Sequence, residues 1–274
     1  MYERHWQLTA APFRHHCGSE FFFRTAGHQS ALLKLRFVLE QRQASATLLG
    51  PTGVGKSYLL RVLQDELPES IGPVILLNYP DLTPLELVRY LCAELAAHID
   101  APPQRAEGMD QWLRVWEDLM LRAKSQSRLP VFLVDDAHVI DDRAVWQTWQ
   151  LLLTFRERDA MNFSLVFAGQ PELAGRLQRC PQLEERLALV CTLSPLSSSE
   201  TAEYIRHRLL VAGRKEPIFE HDAVQRIWEC SGGLPRRIDR LCDFALLVGY
   251  ADGARNITID QIDGVARELR GRAA

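Results

Sequence analysis

The sequence predicts an α/β fold: a parallel five-stranded sheet with helices on both faces, followed by a small all-helical domain. Three observations carry this. Short apolar runs alternate with amphipathic stretches up to residue 195, as in parallel strands joined by covering helices. A glycine-rich GPTGVGKS at residues 50–57 falls between one such run and one such stretch. After residue 195 the strand-like runs stop and helical periodicity remains, which divides the chain into 1–195 and 196–274.

Strands are expected at residues 44–49 (ASATLL), 74–78 (VILLN), 131–134 (VFLV), 163–168 (FSLVFA) and 187–193 (LALVCTL). The first helix covers residues 56–67 and is stopped by Pro68. Thr83, Pro84 and Glu86 supply an N-cap, a proline at the first helical position and a capping-box acid for a helix to residue 98. A loop at 101–108 (APPQRAEG) precedes an amphipathic helix at 109–123, with Trp112, Trp116 and Leu119 on one face, and another helix covers 143–158. In the C-terminal part, helices are expected at 199–213, at 221–230 and from after Pro235 to about 249, with a last one capped by Thr258 and Gln261.

Composition narrows the class. With 274 residues, 47% hydrophobic and 24% charged, the chain is neither disordered, fibrous nor coiled coil over most of its length. A net charge of −3 gives no global attraction to nucleic acid, although a local basic face can hide in that sum. The six cysteines (Cys17, Cys92, Cys180, Cys191, Cys230, Cys242) show no CxxC pair and no zinc-type spacing with His, which points to reduced thiols in a cytoplasmic protein. The opening MYERHWQLTAAPFRHH lacks an apolar signal core, and no run approaches the ~20 apolar residues of a membrane span. Any membrane connection is expected to run through a partner.

The chemistry starts at GPTGVGKS, a full G-x-x-x-x-G-K-[ST] with a strand before it and a helix after it. Such a loop, here Gly50, Pro51, Thr52, Gly53, Val54 and Gly55, wraps a polyphosphate and turns the backbone N–H groups of its non-proline residues toward it. The helix that opens with Lys56, Ser57 and Tyr58 offers its positive end. Lys56 is placed to reach the β and γ phosphates and Ser57 to ligate Mg²⁺, so ATP and Mg²⁺ are the expected ligands. Downstream, VFLVDDAH ends an apolar strand in two acids. Asp135 fits the carboxylate that organises Mg²⁺, and Asp136 lies where an acid can orient or deprotonate the attacking water. His138 reads either as a site residue or as a local hydrogen-bond partner.

Together these residues resemble the AAA+ ATPases. The segments GQPEL at 169–173, LEERL at 183–187, LSPLSSSET at 193–201 and SGGLPRRIDRLCDFALL at 231–247 are similar to the ExeA/GspA family of general secretion pathway ATPases. So are Tyr2, Trp6, Leu8, Pro12 and Phe13, with residues 21–23. ATPases of pilus assembly and DNA transposition share much of this pattern. The resemblance implies that Gln170 is the polar sensor at the end of the fourth strand. It implies that Arg186 is an arginine finger acting in trans on a neighbouring subunit of a homo-oligomer, against the alternative of a surface salt bridge. It also implies that Arg236, or the adjacent Arg237, is the sensor that the helical lid points at the phosphates. Residues around Phe13, Phe22, His28 and Gln29 border the adenine on this view, or simply pack.

The sequence departs from the family twice. The family's acid pair is Asp-Glu, and here Asp135-Asp136 is one methylene shorter at the presumed base. A displacement of about 1 Å can cost ~10²-fold in rate, so slow hydrolysis is expected. Longer family members also carry a membrane span and a cell-wall-binding region after the ATPase, and neither lies within these 274 residues. Direct membrane insertion is not expected. The functional expectation is an ATPase that assembles or remodels a secretion or pilus apparatus through a protein partner. The alternatives are a slowly hydrolysing nucleotide switch or scaffold, and a transposition-type ATPase acting on DNA.

Overall fold

Five runs that contain no charged residue become the strands of one parallel sheet: β1 (Ser45–Leu49), β2 (Val74–Leu77), β3 (Val131–Val134), β4 (Ser164–Gly169) and β5 (Leu187–Thr192). Their spatial order is β2-β3-β4-β1-β5, and every pairing is parallel, as expected. In this computed structural model residues 1–14, 18–68, 70–158 and 163–271 are described. Their contacts form two units. One comprises Gly27–Pro51 and Lys56–Leu193, the other Met1–Ala26, Thr52–Gly55 and Ser194–Ala274.

In the first unit, β1, β3 and β4 are buried along their whole length, which explains why they read as unbroken apolar runs rather than alternating ones. The edge strand β5 exposes Ala188, Val190 and Thr192. Helix α1 (Ala26–Glu40) precedes the sheet and buries His28, Ala31, Leu32, Leu35 and Leu39, a helical stripe. This helix is additional to the expected elements. Helix α2 (Lys56–Glu66) buries Lys56, Leu59, Leu60 and Leu63 at the same spacing. Helix α3 (Pro84–His98) starts on the Thr83–Glu86 capping box, with both reciprocal bonds formed.

Helices α4 (Met109–Ser125) and α5 (Arg143–Arg158) bring Trp116 and Trp149 into the core. Trp116 meets Phe132 and, edge-on, Phe163, with ring centroids 5.3 and 5.4 Å apart, and Trp149 meets Phe167 edge-on at 5.6 Å. These contacts fix β3 and β4 from one side of the sheet. Short helices α6 (Glu172–Gln178) and α7 (Pro181–Glu184), also without a sequence assignment, lie between β4 and β5.

The second unit holds α8 (Ser198–Val211), α9 (His221–Ser231), α10 (Pro235–Ala251) and α11 (Ile259–Gly271). Residues 1–26, counted with the α/β domain in the division at 195/196, cluster here instead. The reason is aromatic burial: Tyr2, Trp6, Phe13 and Phe21 belong to the core of these helices. Trp6 donates its indole N–H to Leu246 O at 2.9 Å. Gly249 leaves room for that ring, because a Cβ there would lie 2.8 Å from it. Arg208, buried on α8, donates to the carbonyls of Pro12 and Arg14. Phe13 therefore packs, as one of its two expected readings held. Cys92, Cys180, Cys191, Cys230 and Cys242 are unpaired, whereas Cys17 lies outside the described residues.

Candidate functional site

Because the sheet is parallel, the C-terminal ends of β1, β3 and β4 emerge along one edge. The register aligns Leu49 with Gly169, and Val134 with Phe167. β4 lies between β3 and β1, so Gln170, following β4, sits between Asp135, following β3, and Gly50, following β1. Adjacent strands are ~4.8 Å apart, which puts these three chain positions within ~10 Å. Gly50 donates its N–H to Gly169 O, and Asp135 donates its N–H to Leu77 O, so hydrogen bonding continues one residue past the strands.

In the loop after β1, Gly53 and Gly55 have φ of +81° and +107°, backbone conformations that only glycine adopts without strain. Lys56 opens α2 and is buried; its ammonium donates to Gly50 O at 2.8 Å and Pro51 O at 3.1 Å. Burial lowers its pKa, opposed by the carboxylates of Asp136, Asp135 and Glu172. Glu172 had no expected role; its only signal was an acid directly after Gln170-Pro171. Ser57 is exposed and its side chain hydrogen-bonds the Asp135 carboxylate, and Tyr58 beside it is half-buried.

Asp135 is buried, and burial raises its pKa; the Ser57 hydrogen bond, the Asp136 N–H and the Lys56 charge pull the other way. The Asp136 N–H donates to Asp135 Oδ1 at 2.9 Å. Asp136 itself is left-handed, with φ +48° and ψ +32°, and its side chain is 55% exposed. Asp and Asn tolerate that conformation better than longer side chains do. The short acid at 136 therefore has a backbone reason as well as a chemical consequence.

Next along the chain, a 3₁₀ turn at residues 137–139 presents His138. Its Nε2 lies 2.7 Å from the amide nitrogen of Gln170. Gly169 permits the approach, since a Cβ there would lie 3.2 Å from the His138 backbone nitrogen.

Arg186 is not brought to this edge. It precedes β5, whose Leu187 pairs with Ser45 at the start of β1, and its carbonyl accepts from Ser45 Oγ at 2.9 Å. The four steps from Ser45 to Leu49 put it ~13 Å from the loop edge. Arg236, in the first turn of α10, donates its backbone N–H to Gly53 O at 3.2 Å, and a Cβ on Gly53 would lie 2.9 Å from the Arg236 Cβ. Arg237 donates its own to Leu234 O, within its turn. The residue whose backbone meets the loop is thus Arg236.

Among the described residues no group of three or more His, Cys, Asp or Glu is placed to hold a metal. Ser57 and Asp135 instead offer two hard oxygens in direct contact. That set fits Mg²⁺, which takes one or two protein oxygens and completes its shell with water and substrate phosphates.

The AAA domain family matches residues 39–177. The chain is 30% identical to General secretion pathway protein A of Aeromonas hydrophila over 274 residues, 99% of this chain and 49% of that protein. It is 23% identical to an uncharacterized HTH-type transcriptional regulator of Methanocaldococcus jannaschii, over 78% of this chain and 60% of that protein. The chain thus spans about half of the first relative's length. Among solved structures it is similar to the ORC2 protein of Aeropyrum pernix, with TM-score 0.71, 15% identity, and coverage of 94% of this chain and 70% of that one. Cdc6p of Pyrobaculum aerophilum gives 0.72 and 17% with the same coverage. A RuvB variant of Thermotoga maritima gives 0.63 and 18%, covering 90% of this chain and 70% of that one. At these identities the structural likeness concerns the fold.

Proposed function

The chain belongs to the AAA domain family, and we propose that it is a Mg²⁺-dependent, oligomeric ATPase that assembles or remodels a secretion- or pilus-type apparatus. One observation supports this above the others: the Lys56 ammonium is buried at the strand edge, facing Asp135 and Asp136, with Ser57 bonded to Asp135. Residues 1–195 carry the nucleotide-binding domain on this reading and 196–274 the lid, with residues 1–26 packed on the lid helices.

Backbone N–H groups of residues 52–55 and the α2 N-terminus cradle the phosphates, Gly50 and Pro51 shape the loop, and Lys56 neutralises the β and γ oxygens. Ser57 and Asp135 would hold Mg²⁺, which would supply charge neutralisation of the phosphates. Asp136 takes a proton from the attacking water as its oxygen bonds the γ phosphorus and the bond to the leaving ADP oxygen breaks. Gln170 orients that water or the γ-phosphate. Arg236 faces the phosphates in cis, and Arg186 serves the neighbouring subunit in trans.

Asp136 favours a second reading, a slow nucleotide switch in which binding drives assembly and hydrolysis resets it. The partner is proposed to be a secretion-complex protein at the cytoplasmic side of the inner membrane, with duplex DNA the alternative. No helix among the described residues is long and apolar enough to cross a membrane. The test is phosphate release from ATP by wild type beside Lys56→Ala. Release that depends on Lys56 supports the reading, and equal release by both proteins overturns it.

A further inference from the structure

We infer that His138 is a positioning residue, linking the acid that receives the proton to the amide that orients the reacting groups; this rests on the ATPase reading above. An amide nitrogen only donates, so the imidazole Nε2, 2.7 Å from Gln170 Nε2, is the acceptor. A neutral imidazole accepting at Nε2 carries its proton on Nδ1. That Nδ1 is buried, has no hydrogen-bond partner among the described residues, and lies 3.8 Å from Asp136 Oδ1. The N–H therefore faces the carboxylate at a distance that a small rotation of the exposed Asp136 side chain closes.

Two consequences follow. The bond to His138 fixes which end of the Gln170 amide is oxygen, leaving that oxygen and one N–H for the reacting groups. The Nδ1–H gives the short Asp136 side chain one preferred direction, which its exposure and missing methylene would otherwise leave loose. Neighbouring features serve the same arrangement. Gly169 lets residues 137–139 approach the end of β4, and the left-handed Asp136 turns the chain so that His138 follows at this edge.

The test is steady-state phosphate release with separate nucleotide affinity and thermal unfolding, on the full chain. His138→Ala is expected to lower kcat by ~10²-fold, the scale of a misplaced reacting group, with nucleotide affinity and melting temperature unchanged. His138→Gln keeps an acceptor for Gln170 and is expected to recover most of the rate. His138→Ala combined with Gln170→Ala is expected to be no slower than Gln170→Ala alone, because the two act through one bond. Wild-type kcat in His138→Ala, or additive losses in the double variant, overturns the inference while leaving the ATPase reading intact. Loss of unfolding temperature in step with kcat in both His138 variants shows a structural role and overturns it too. A wild type that releases no phosphate removes the ATPase reading itself, and this role with it.

Discussion

The Ser57 side chain hydrogen-bonds the carboxylate of Asp135, joining the first turn of α2 to the end of β3. The two oxygens proposed to hold Mg²⁺ are thus already adjacent. Ser57→Ala removes one of them and leaves Asp135 with its backbone donor from Asp136. The Mg²⁺ concentration for half-maximal phosphate release is expected to rise by ~10–100-fold, read from a Mg²⁺ titration at fixed ATP. An unchanged midpoint would exclude Ser57 as a ligand.

Asp136→Glu separates the chemical and backbone arguments for the short acid. The longer carboxylate reaches about 1 Å further, and kcat is expected to rise by up to ~10²-fold. The left-handed backbone is less favourable for Glu, so stability is expected to fall by no more than ~1 kcal/mol in chemical denaturation. A lower kcat with unchanged stability would contradict the view that side-chain length limits this site.

Arg186 lies at the opposite end of the sheet from the loop edge, which suits action on another subunit. Arg186→Ala is expected to lower kcat by ~10³-fold, the scale of a lost arginine finger. Mixed with inactive Lys56→Ala, it is expected to regain activity, because some interfaces then pair an intact Lys56 with an intact Arg186. Phosphate release by the mixture no greater than the sum of the two variants would remove the trans role.

Burial pushes the Asp239 carboxyl up to about 6, against the pull of Arg208 and the hydrogen bond from Tyr204. The folded chain therefore holds this proton more tightly than the unfolded chain, whose value is about 4. Its stabilising contribution is present below about 4 and is lost as pH rises through about 6. Wild type is expected to lose stability relative to Asp239→Asn across that interval, measured by denaturant unfolding at several pH values. A difference that stays flat with pH would contradict it.

How much of this was legible in the sequence follows from chain locality. The strands and the phosphate loop were, because apolar runs and GPTGVGKS are written in consecutive residues. Helix α1 is equally legible, since 28, 31, 32, 35 and 39 form a helical stripe, although His28 and Gln29 alone carried an expectation there, adenine contact or packing. The His138–Gln170 bond was not, because it depends on β3 lying beside β4 in the register that pairs Val134 with Phe167. Nor was the burial of Trp6 against Leu246, where partners more than two hundred residues apart meet only after folding. The left-handed backbone at Asp136 was likewise hidden, although it bears directly on why that acid is short.

On the proposed reading, binding and hydrolysis of Mg-ATP use different residues of one edge, Lys56 for the phosphates and Asp136 for the water. Calorimetric titration of Mg-ATP into wild type, Lys56→Ala and Asp136→Ala, with phosphate release on the same samples, tests it most directly. Asp136→Ala is expected to bind like wild type and to release phosphate at least ~10²-fold more slowly, whereas Lys56→Ala is expected to lose at least ~10²-fold in affinity. Equal binding by all three proteins, or full phosphate release by Asp136→Ala, would contradict the account.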